Sequence, residues 1–181
     1  WSSDVCSSDL LHGLSYKYVS SRLARQSIAA NGRLLMAHLG NGSSLCAAVN
    51  CQSVASTMGF SAVEGLMMGT RSGSIDPGVI LYLMEDGWSH QQIVDLLYKQ
   101  GGLKGVSGIS ADMRTLRASS DPSAQFATRL YAYRVIKESG ALIAAMKGID
   151  AIAFTGGIGE HDGQLREEVD RKSTRLNSSH T

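Results

Sequence analysis

Apolar residues recur at near-helical spacing in the first part of the chain, where Tyr18, Leu23, Ala24 and Ile28 fall within residues 15–30. The run ends at an Asn-Gly pair, which commonly terminates a helix. Positions three or four residues apart share one face of a helix and can pack together. This pattern predicts a helix over residues 15–30.

Three short apolar or alternating runs follow, with turn residues between them. They cover residues 34–37, 44–49 and 53–56, and the turns contain Gly-Asn-Gly and Asn-Cys-Gln. Short runs of this kind that are separated by tight turns pair with one another in chain order. The pattern predicts a three-stranded antiparallel meander.

The next part of the chain opens with a Gly- and Met-rich stretch, residues 57–78, that has no clean periodicity. We expect loops and short helices there, and long irregular segments inside compact domains are often functional. Helices are predicted at residues 79–85 and 89–99. Ser89 is expected to cap the second of these helices at its N-terminus.

The longest predicted helix begins at Asp121 and Pro122 and is expected to stop at Gly148. The apolar stripe of this helix is expected to consist of Phe126, Leu130, Tyr133 and Ile136. An apolar strand at residues 151–154, a glycine-rich turn and a helix from residue 164 follow. This order predicts an α/β domain with helices packed on a mixed sheet.

Both ends of the chain are Ser-rich and differ in composition from the middle. Residues 1–10 and 170–181 can be back-translated into DNA strings that are reverse complements over their shared length and that look like a sequencing-library adapter. We therefore expect both ends to be translated adapter that contributes nothing to the fold. Residues 11–169 have the length of one domain and can form a core.

Charge and hydropathy narrow the class of protein. The chain has 17 Lys and Arg against 16 Asp and Glu, a formal net charge of +1, which argues against a nucleic-acid partner. No apolar run approaches the roughly 20 residues of a membrane span, and no signal peptide is recognisable. We expect a cytoplasmic protein with no membrane partner. Cys46 and Cys51 lack metal-ligand spacing, and no metal ligand is predicted.

Two glycine-rich segments are candidates for phosphate binding. Residues 38–44 join the first two predicted strands, and their glycines would let backbone N–H groups approach an anion while the serines add donors. The same residues also suit a plain hairpin turn. Residues 156–159 lie between a buried strand and a helix, where nucleotides bind in α/β folds, and equally suit a tight turn. They lack the third glycine of the dinucleotide fingerprint.

Four further residues have side chains that suit phosphoryl or nucleotide chemistry. Arg71 lies between flexible residues, where a guanidinium could stabilise a transferring phosphoryl group or act as a solvated cation. His12 could likewise be a catalytic group or have only a structural role. Asp112 and Arg114 could hold a ribose, stack on a base or form one surface ion pair.

Taken in order, seven segments closely resemble the acetate kinase (acetokinase) family. The very specific Glu-Gly-Leu-Met-Met-Gly-Thr-Arg-Ser-Gly sequence is among them, and the resemblance extends over essentially all of residues 11–169. The segments are residues 11–19, 38–44, 56–60, 64–73, 75–78, 107–114 and 154–160.

The resemblance implies an actin-like ATPase domain of ribonuclease H-like fold, with a mixed α/β sheet. The chain would form most of the second, nucleotide-binding domain of a two-domain enzyme that holds ATP in the cleft between the domains. The implied reaction is reversible transfer of the γ-phosphoryl group of ATP to acetate, which gives acetyl phosphate and ADP with Mg²⁺. The implied intact enzyme is a homodimer.

The resemblance also implies roles for individual residues. His12 and Arg71 match the two transition-state stabilisers of the family. The positions that match nucleotide-binding residues form three groups: His38, Leu39, Gly40, Asn41 and Gly42 at the phosphates; Asp112, Met113 and Arg114 at the adenosine; and Gly157, Ile158, Gly159, Glu160 and His161 along the rest of the nucleotide.

The chain departs from the family pattern at Tyr16, where many members have a second His, at Ser74, where Asp is usual, and at His161, where Asn is usual. The family's catalytic Asp, substrate Arg and metal ligands match no position here. We expect them in parts that this chain lacks, so the chain should be inactive alone. The alternatives are a propionate or butyrate kinase, a non-catalytic actin-like nucleotide-binding module, and a hairpin-rich domain without a ligand.

Overall fold

The computed structural model describes residues 12–27 and 29–175. The remaining residues, which include Ile28 of the first predicted helix and most of the two Ser-rich ends, lie outside this part. A short 3-10 helix, Ala29–Asn31, precedes the first strand. The helices and strands are α1 (Gly13–Ala24), β1 (Arg33–Leu39), β2 (Ser43–Val49), β3 (Gln52–Ser56), α2 (Pro77–Glu85), α3 (His90–Lys99), α4 (Gly102–Ser107), α5 (Met113–Ala118), α6 (Pro122–Ala145), β4 (Ala151–Thr155), α7 (Gly156–His161) and α8 (Gly163–Arg175).

The four strands form one mixed sheet in the order β3-β2-β1-β4. The first three strands are antiparallel neighbours in chain order, and β4 pairs in parallel with β1. The predicted meander and mixed sheet are therefore confirmed. The pairing register places His38 between Ser44 of β2 and Thr155 of β4, so polar side chains meet where β1 ends.

The two central strands, β1 and β2, are buried on both faces. Leu35 and Leu39 of β1 contribute to a large cluster that includes residues of α6 and α8, whereas Leu34 and Met36 pack with Tyr16 of α1 in a second cluster. This alternation follows from the period of two along a strand. The domain therefore has three layers, with α1 on one face of the sheet and the longer helices on the other.

The predicted apolar stripe of α6 is wrong. Phe126 and Tyr133 are 52% and 60% exposed, while Leu130 and Ile136 lie at the margin of the core. The side chains that α6 buries are mostly small: Ala124, Ala127, Thr128, Tyr131, Ala132, Val135, Ser139, Leu142 and Ile143. Small side chains let the helix axis come close to its neighbours, so the largest apolar residues do not mark the buried face.

Two other predictions concern helix ends and the irregular segment. Helix α1 ends at Ala24, earlier than predicted, whereas the predicted cap of α3 is confirmed: Ser89 and Gln92 form a reciprocal capping box. Residues 57–76 contain the predicted loops but none of the predicted short helices, and Leu66, Met67 and Met68 are nevertheless buried. This segment is thus part of the core despite its irregular backbone.

A charged cluster joins the start of β1 to the start of β4. The Arg33 guanidinium donates to both carboxylate oxygens of Asp150, at 2.9 and 2.6 Å, and the Arg33 backbone N–H donates to the same carboxylate at 2.7 Å. These bonds from Arg33 lower the pKa of Asp150 from 3.8 to about 2. The ionised carboxylate therefore contributes stability to the folded state.

We expect Asp150→Asn to lower the Tm at neutral pH, because Arg33 would lose its charged partner. The carboxyl pKa is lower in the folded than in the unfolded chain, so its stabilising contribution is complete above pH about 4 and is lost as the pH falls toward about 2. Thermal melts across this range should show the two proteins converging. Glu85→Gln, at an exposed position on α2, is the control. A difference that persists at pH about 2 would contradict the assignment.

Candidate active site

Two glycine-rich turns lie side by side where β1 and β4 end. Gly40 follows β1, and its N–H donates to the Gly42 carbonyl at 3.0 Å. A Cβ placed on Gly40 would lie 3.8 Å from the backbone nitrogen of Gly157, at the start of α7. The two predicted phosphate-binding segments are therefore brought together, with the backbone nitrogen of Gly157 beside Gly40.

A cavity of about 780 Å³ opens beside these turns. Its volume lies within the range of about 300–1,000 Å³ that is typical of small-molecule sites. Residues of all three predicted nucleotide-binding groups line it: Gly40, Asn41, Asp112, Met113, Arg114, Gly157, Ile158 and His161. The cavity thus unites segments that are distant in the sequence.

The other predicted nucleotide-binding residues do not line this cavity. Leu39 and Gly159 are buried, and the Leu39 side chain belongs to the core, so any contact from it would be through the backbone. Glu160 is exposed on α7. His38 lies beside His12, and Gly42 lies close to His12 and Arg71.

Asp112 and Arg114 form the ion pair that the sequence left open. The Arg114 guanidinium lies 2.7 Å from the Asp112 carboxylate, and the Arg114 backbone N–H donates to it at 2.9 Å, so Asp112 also caps α5. Hydrogen bonds from Arg114 lower the pKa of Asp112. The pair lines the cavity at the start of α5, where both side chains are partly exposed and available to a ligand.

His12 and Arg71 converge on the loop between β1 and β2. A Cβ placed on Gly42 would lie 3.3 Å from His12 Nε2 and 3.7 Å from Arg71 Nη2. The Arg71 guanidinium donates to the Ala62 carbonyl at 2.9 Å, which fixes its orientation. Both side chains line a cavity of about 240 Å³ together with Ser43, Ser44, Met58, Ser61, Ala62, Glu64 and Met68.

His12 is an uncharged donor or acceptor at neutral pH. Burial, together with the nearby His38 and Arg71, lowers its pKa from 6.5 to about 4. Its ring lies 4.0 Å from the His38 ring, centroid to centroid. His38 is also held by its neighbours, since its Nδ1 lies 3.0 Å from Thr155 Oγ1, and burial lowers its pKa as well. The site therefore combines a neutral imidazole with a permanent guanidinium cation.

The segment that carries Arg71 is fastened to the phosphate-binding turn. The Gly69 N–H donates to the Asn41 carbonyl at 3.1 Å. A Cβ at Gly69 would lie 2.2 Å from Asn41 Oδ1, so a side chain there would displace the Asn41 side chain. On the other side, Leu103 N–H donates to the Met68 carbonyl at 2.8 Å. These contacts give the irregular segment a fixed position and bring Arg71 to Gly42.

Sequence reasoning missed several residues of the site. Arg117 on α5 pairs with Asp162 at 3.1 Å, and their side chains are 23% and 9% exposed, so the pair links two walls of the large cavity. No local motif marks this pair, since its members are distant in the chain. The other unpredicted lining residues are Ala111, Gly163 and Gln164. Ser44 lay inside a recognised segment, but only the structure gives it a contact with His12.

Within residues 12–27 and 29–175, no group of three or more His, Cys, Asp or Glu residues is arranged to hold a metal ion. A separate finding concerns membranes. None of the helices in the described part of the chain combines the length and the apolar character needed to span a bilayer.

Comparison with known proteins gives consistent matches. The sequence model of the acetokinase family matches residues 10–176. An acetate kinase of Rhodopseudomonas palustris is 55% identical over 162 residues, which make up 87% of this chain and 40% of that protein. The chain therefore spans about 40% of the length of such a relative.

Solved structures match as well. The acetate kinase of Porphyromonas gingivalis is 42% identical, with a TM-score of 0.82, over 87% of this chain and 41% of that one. A propionate kinase from Francisella tularensis is 38% identical, with a TM-score of 0.84, over 91% of this chain and 44% of that one. The fold is that of the actin-like ATPases, as the resemblance implied, and the chain belongs to the acetokinase family.

Proposed function

We propose that the full-length protein transfers the γ-phosphoryl group of ATP to acetate, in the reversible reaction that gives acetyl phosphate and ADP. The observation that carries this proposal is the convergence of His12 and Arg71 on Gly42, next to a cavity lined by three nucleotide-binding segments. The 55% identity with an acetate kinase supports it. A purely nucleotide-binding module would have no use for a cation and a neutral donor at this position.

The large cavity suits a nucleotide. Gly157 can offer its backbone N–H to a phosphate oxygen, and Gly40 leaves room for the phosphate to approach, since both residues lack a side chain and line the cavity. Asp112 and Arg114, at the start of α5, are positioned to contact the ribose and base. His161, at the end of α7, would line the remaining part, with its ring nitrogen held 3.0 Å from the Gly157 carbonyl.

The reacting phosphoryl group would lie near Gly42. In phosphoryl transfer, charge spreads over the equatorial oxygens, so catalysis depends on positioning and on electrostatic stabilisation. Arg71 would supply a fixed positive charge, and His12 would donate a hydrogen bond without adding a second charge. Mg²⁺, which the family resemblance implies, would neutralise phosphate charge, and we expect its ligands in parts of the protein that this chain lacks.

Homodimer formation and a cytoplasmic location also stay predictions. Helix α2 supports an interface, since Leu81, Tyr82 and Met84 are each at least 60% exposed and the helix buries none of its residues. Exposed apolar surface of this kind commonly lies at contacts with another domain or subunit.

A propionate kinase is the second candidate, because a protein of that name is 38% identical to this chain. We expect the full-length protein to have a higher kcat/KM with acetate than with propionate or butyrate, since acetate kinases include the relative at 55% identity. Formation of the acyl phosphate from each acid, with ATP present, measures this. A preference for a longer acid would move the protein to another branch of the family.

We expect Arg71→Ala in the full-length protein to lower kcat by about 10³-fold or more, because a cation that stabilises the transferring group acts mainly in the transition state. That loss corresponds to roughly 4 kcal/mol in the barrier. The KM for ATP should change much less. Arg129→Ala, at an exposed position on α6, is the matched control. An unchanged kcat in the Arg71 variant would refute the role.

The chain by itself is expected to bind ADP weakly and to show no turnover. Transfer requires groups on both sides of a closed cleft, and water in an open site screens each interaction. Exposed apolar side chains, above all Phe60 at 98% exposure, should also favour aggregation. Calorimetric titration with MgADP and an acetyl phosphate assay, on residues 11–169, test this. Turnover close to that of an intact kinase would show that the rest of the protein is dispensable.

A further inference from the structure

A hydrogen-bonded chain runs from the core of the second cluster to His12. The Tyr16 hydroxyl lies 2.6 Å from Ser44 Oγ, and Ser44 Oγ lies 2.8 Å from His12 Nδ1. Tyr16 is 0% exposed and Ser44 is 4% exposed. Within the described part of the chain, these are the hydrogen-bond partners of Ser44 Oγ, so the serine is a link between the other two groups.

The direction of each hydrogen bond follows from the protons available. Burial raises the pKa of the Tyr16 phenol, against smaller opposing effects of Ser44 and of a backbone hydrogen bond from His38, so the phenol keeps its proton. Within the described residues, Ser44 Oγ is the acceptor that lies within hydrogen-bond distance of the buried Tyr16 hydroxyl, at 2.6 Å. A buried phenol that keeps its proton therefore donates it to Ser44 Oγ, which leaves the serine proton for His12 Nδ1.

We propose, on the basis of the function proposed above, that Tyr16 and Ser44 are positioning residues that hold His12 in the tautomer with its proton on Nε2. In this tautomer Nδ1 accepts from Ser44, and Nε2–H is the donor. Nε2 is the atom that faces Gly42, 3.3 Å from the place of a Cβ there. The other tautomer would present a lone pair to the phosphoryl oxygens and would repel them.

The neighbours of His12 make a fixed tautomer of its ring necessary. A neutral imidazole has one proton, and His12 is neutral because it is half-buried beside His38 and Arg71. The ring is also fixed in plane by the tilted contact with His38, at 4.0 Å between centroids. A ring held in this way can donate toward Gly42 only if the Nδ1 side is satisfied by a donor, which is the role of Ser44.

The test begins with the protein in its present length, without substrate. Nitrogen-15 NMR of histidine-labelled protein, with the His12 signals assigned by loss in His12→Gln, reports which ring nitrogen carries the proton. We expect the Nε2–H tautomer in the unsubstituted chain and a mixture or the other tautomer in Tyr16→Phe and in Ser44→Ala. Tyr18→Phe is the matched control, because Tyr18 is exposed on the same helix. His12 protonated on Nδ1, or a tautomer unmoved by both variants, would overturn the proposal.

Kinetics of the full-length protein provide a second measurement. Tyr16→Phe and Ser44→Ala should each lower kcat by about tenfold or more, as expected for a misdirected transition-state donor, with the KM for ATP nearly unchanged. A full-length protein without acetate kinase activity would refute the proposed function but would leave the tautomer result intact. Normal kcat in both variants would refute the positioning role and leave the proposed function intact.

Discussion

Two consecutive buried serines on β2 position both the predicted phosphate-binding turn and the His12 ring. Ser43 lies 2.8 Å from the Tyr131 hydroxyl on α6 and donates to the Gly40 carbonyl at 3.0 Å. Ser44 links Tyr16 to His12 on the opposite face. Adjacent residues of a strand point to opposite faces, so one dipeptide fixes the phosphate-binding turn from one side and the imidazole from the other. The site depends on this pair because neither the turn nor the ring is part of a regular element.

The irregular segment before α2 depends on the same turn. This segment contains no strand or helix. Its position is set by the Asn41 carbonyl, which accepts from the Gly69 N–H, and by the first turn of α4, whose Leu103 N–H donates to the Met68 carbonyl. Arg71 therefore reaches Gly42 through contacts with the turn itself. A change that displaces the turn would displace the guanidinium with it, so the proposed phosphate site and the proposed catalytic cation would move together.

The sequence predicted those parts of the fold that local patterns determine. Short apolar or alternating runs and Gly-Asn-Gly predicted the meander, and Ser89 predicted the start of a helix. The buried face of α6 could not be predicted in the same way, because tight packing selects Ala127 and Ala132 over Phe126. The family resemblance led to His12 and Arg71, but the Arg117–Asp162 pair depends on the approach of α5 to α7 and α8, which no local pattern records.

His12 is neutral because it is half-buried and lies close to both Arg71 and His38. A protonated imidazole would lie next to Arg71 and against the His38 ring, in a half-buried position where burial and repulsion both disfavour it. The guanidinium stays charged at any ordinary pH. A site that needs both a cation and a second donor therefore keeps the charge on Arg71 and takes the hydrogen bond from a neutral ring. The buried Tyr16, standing where many family members have a second His, fits this arrangement, since its hydroxyl adds no charge to the cluster.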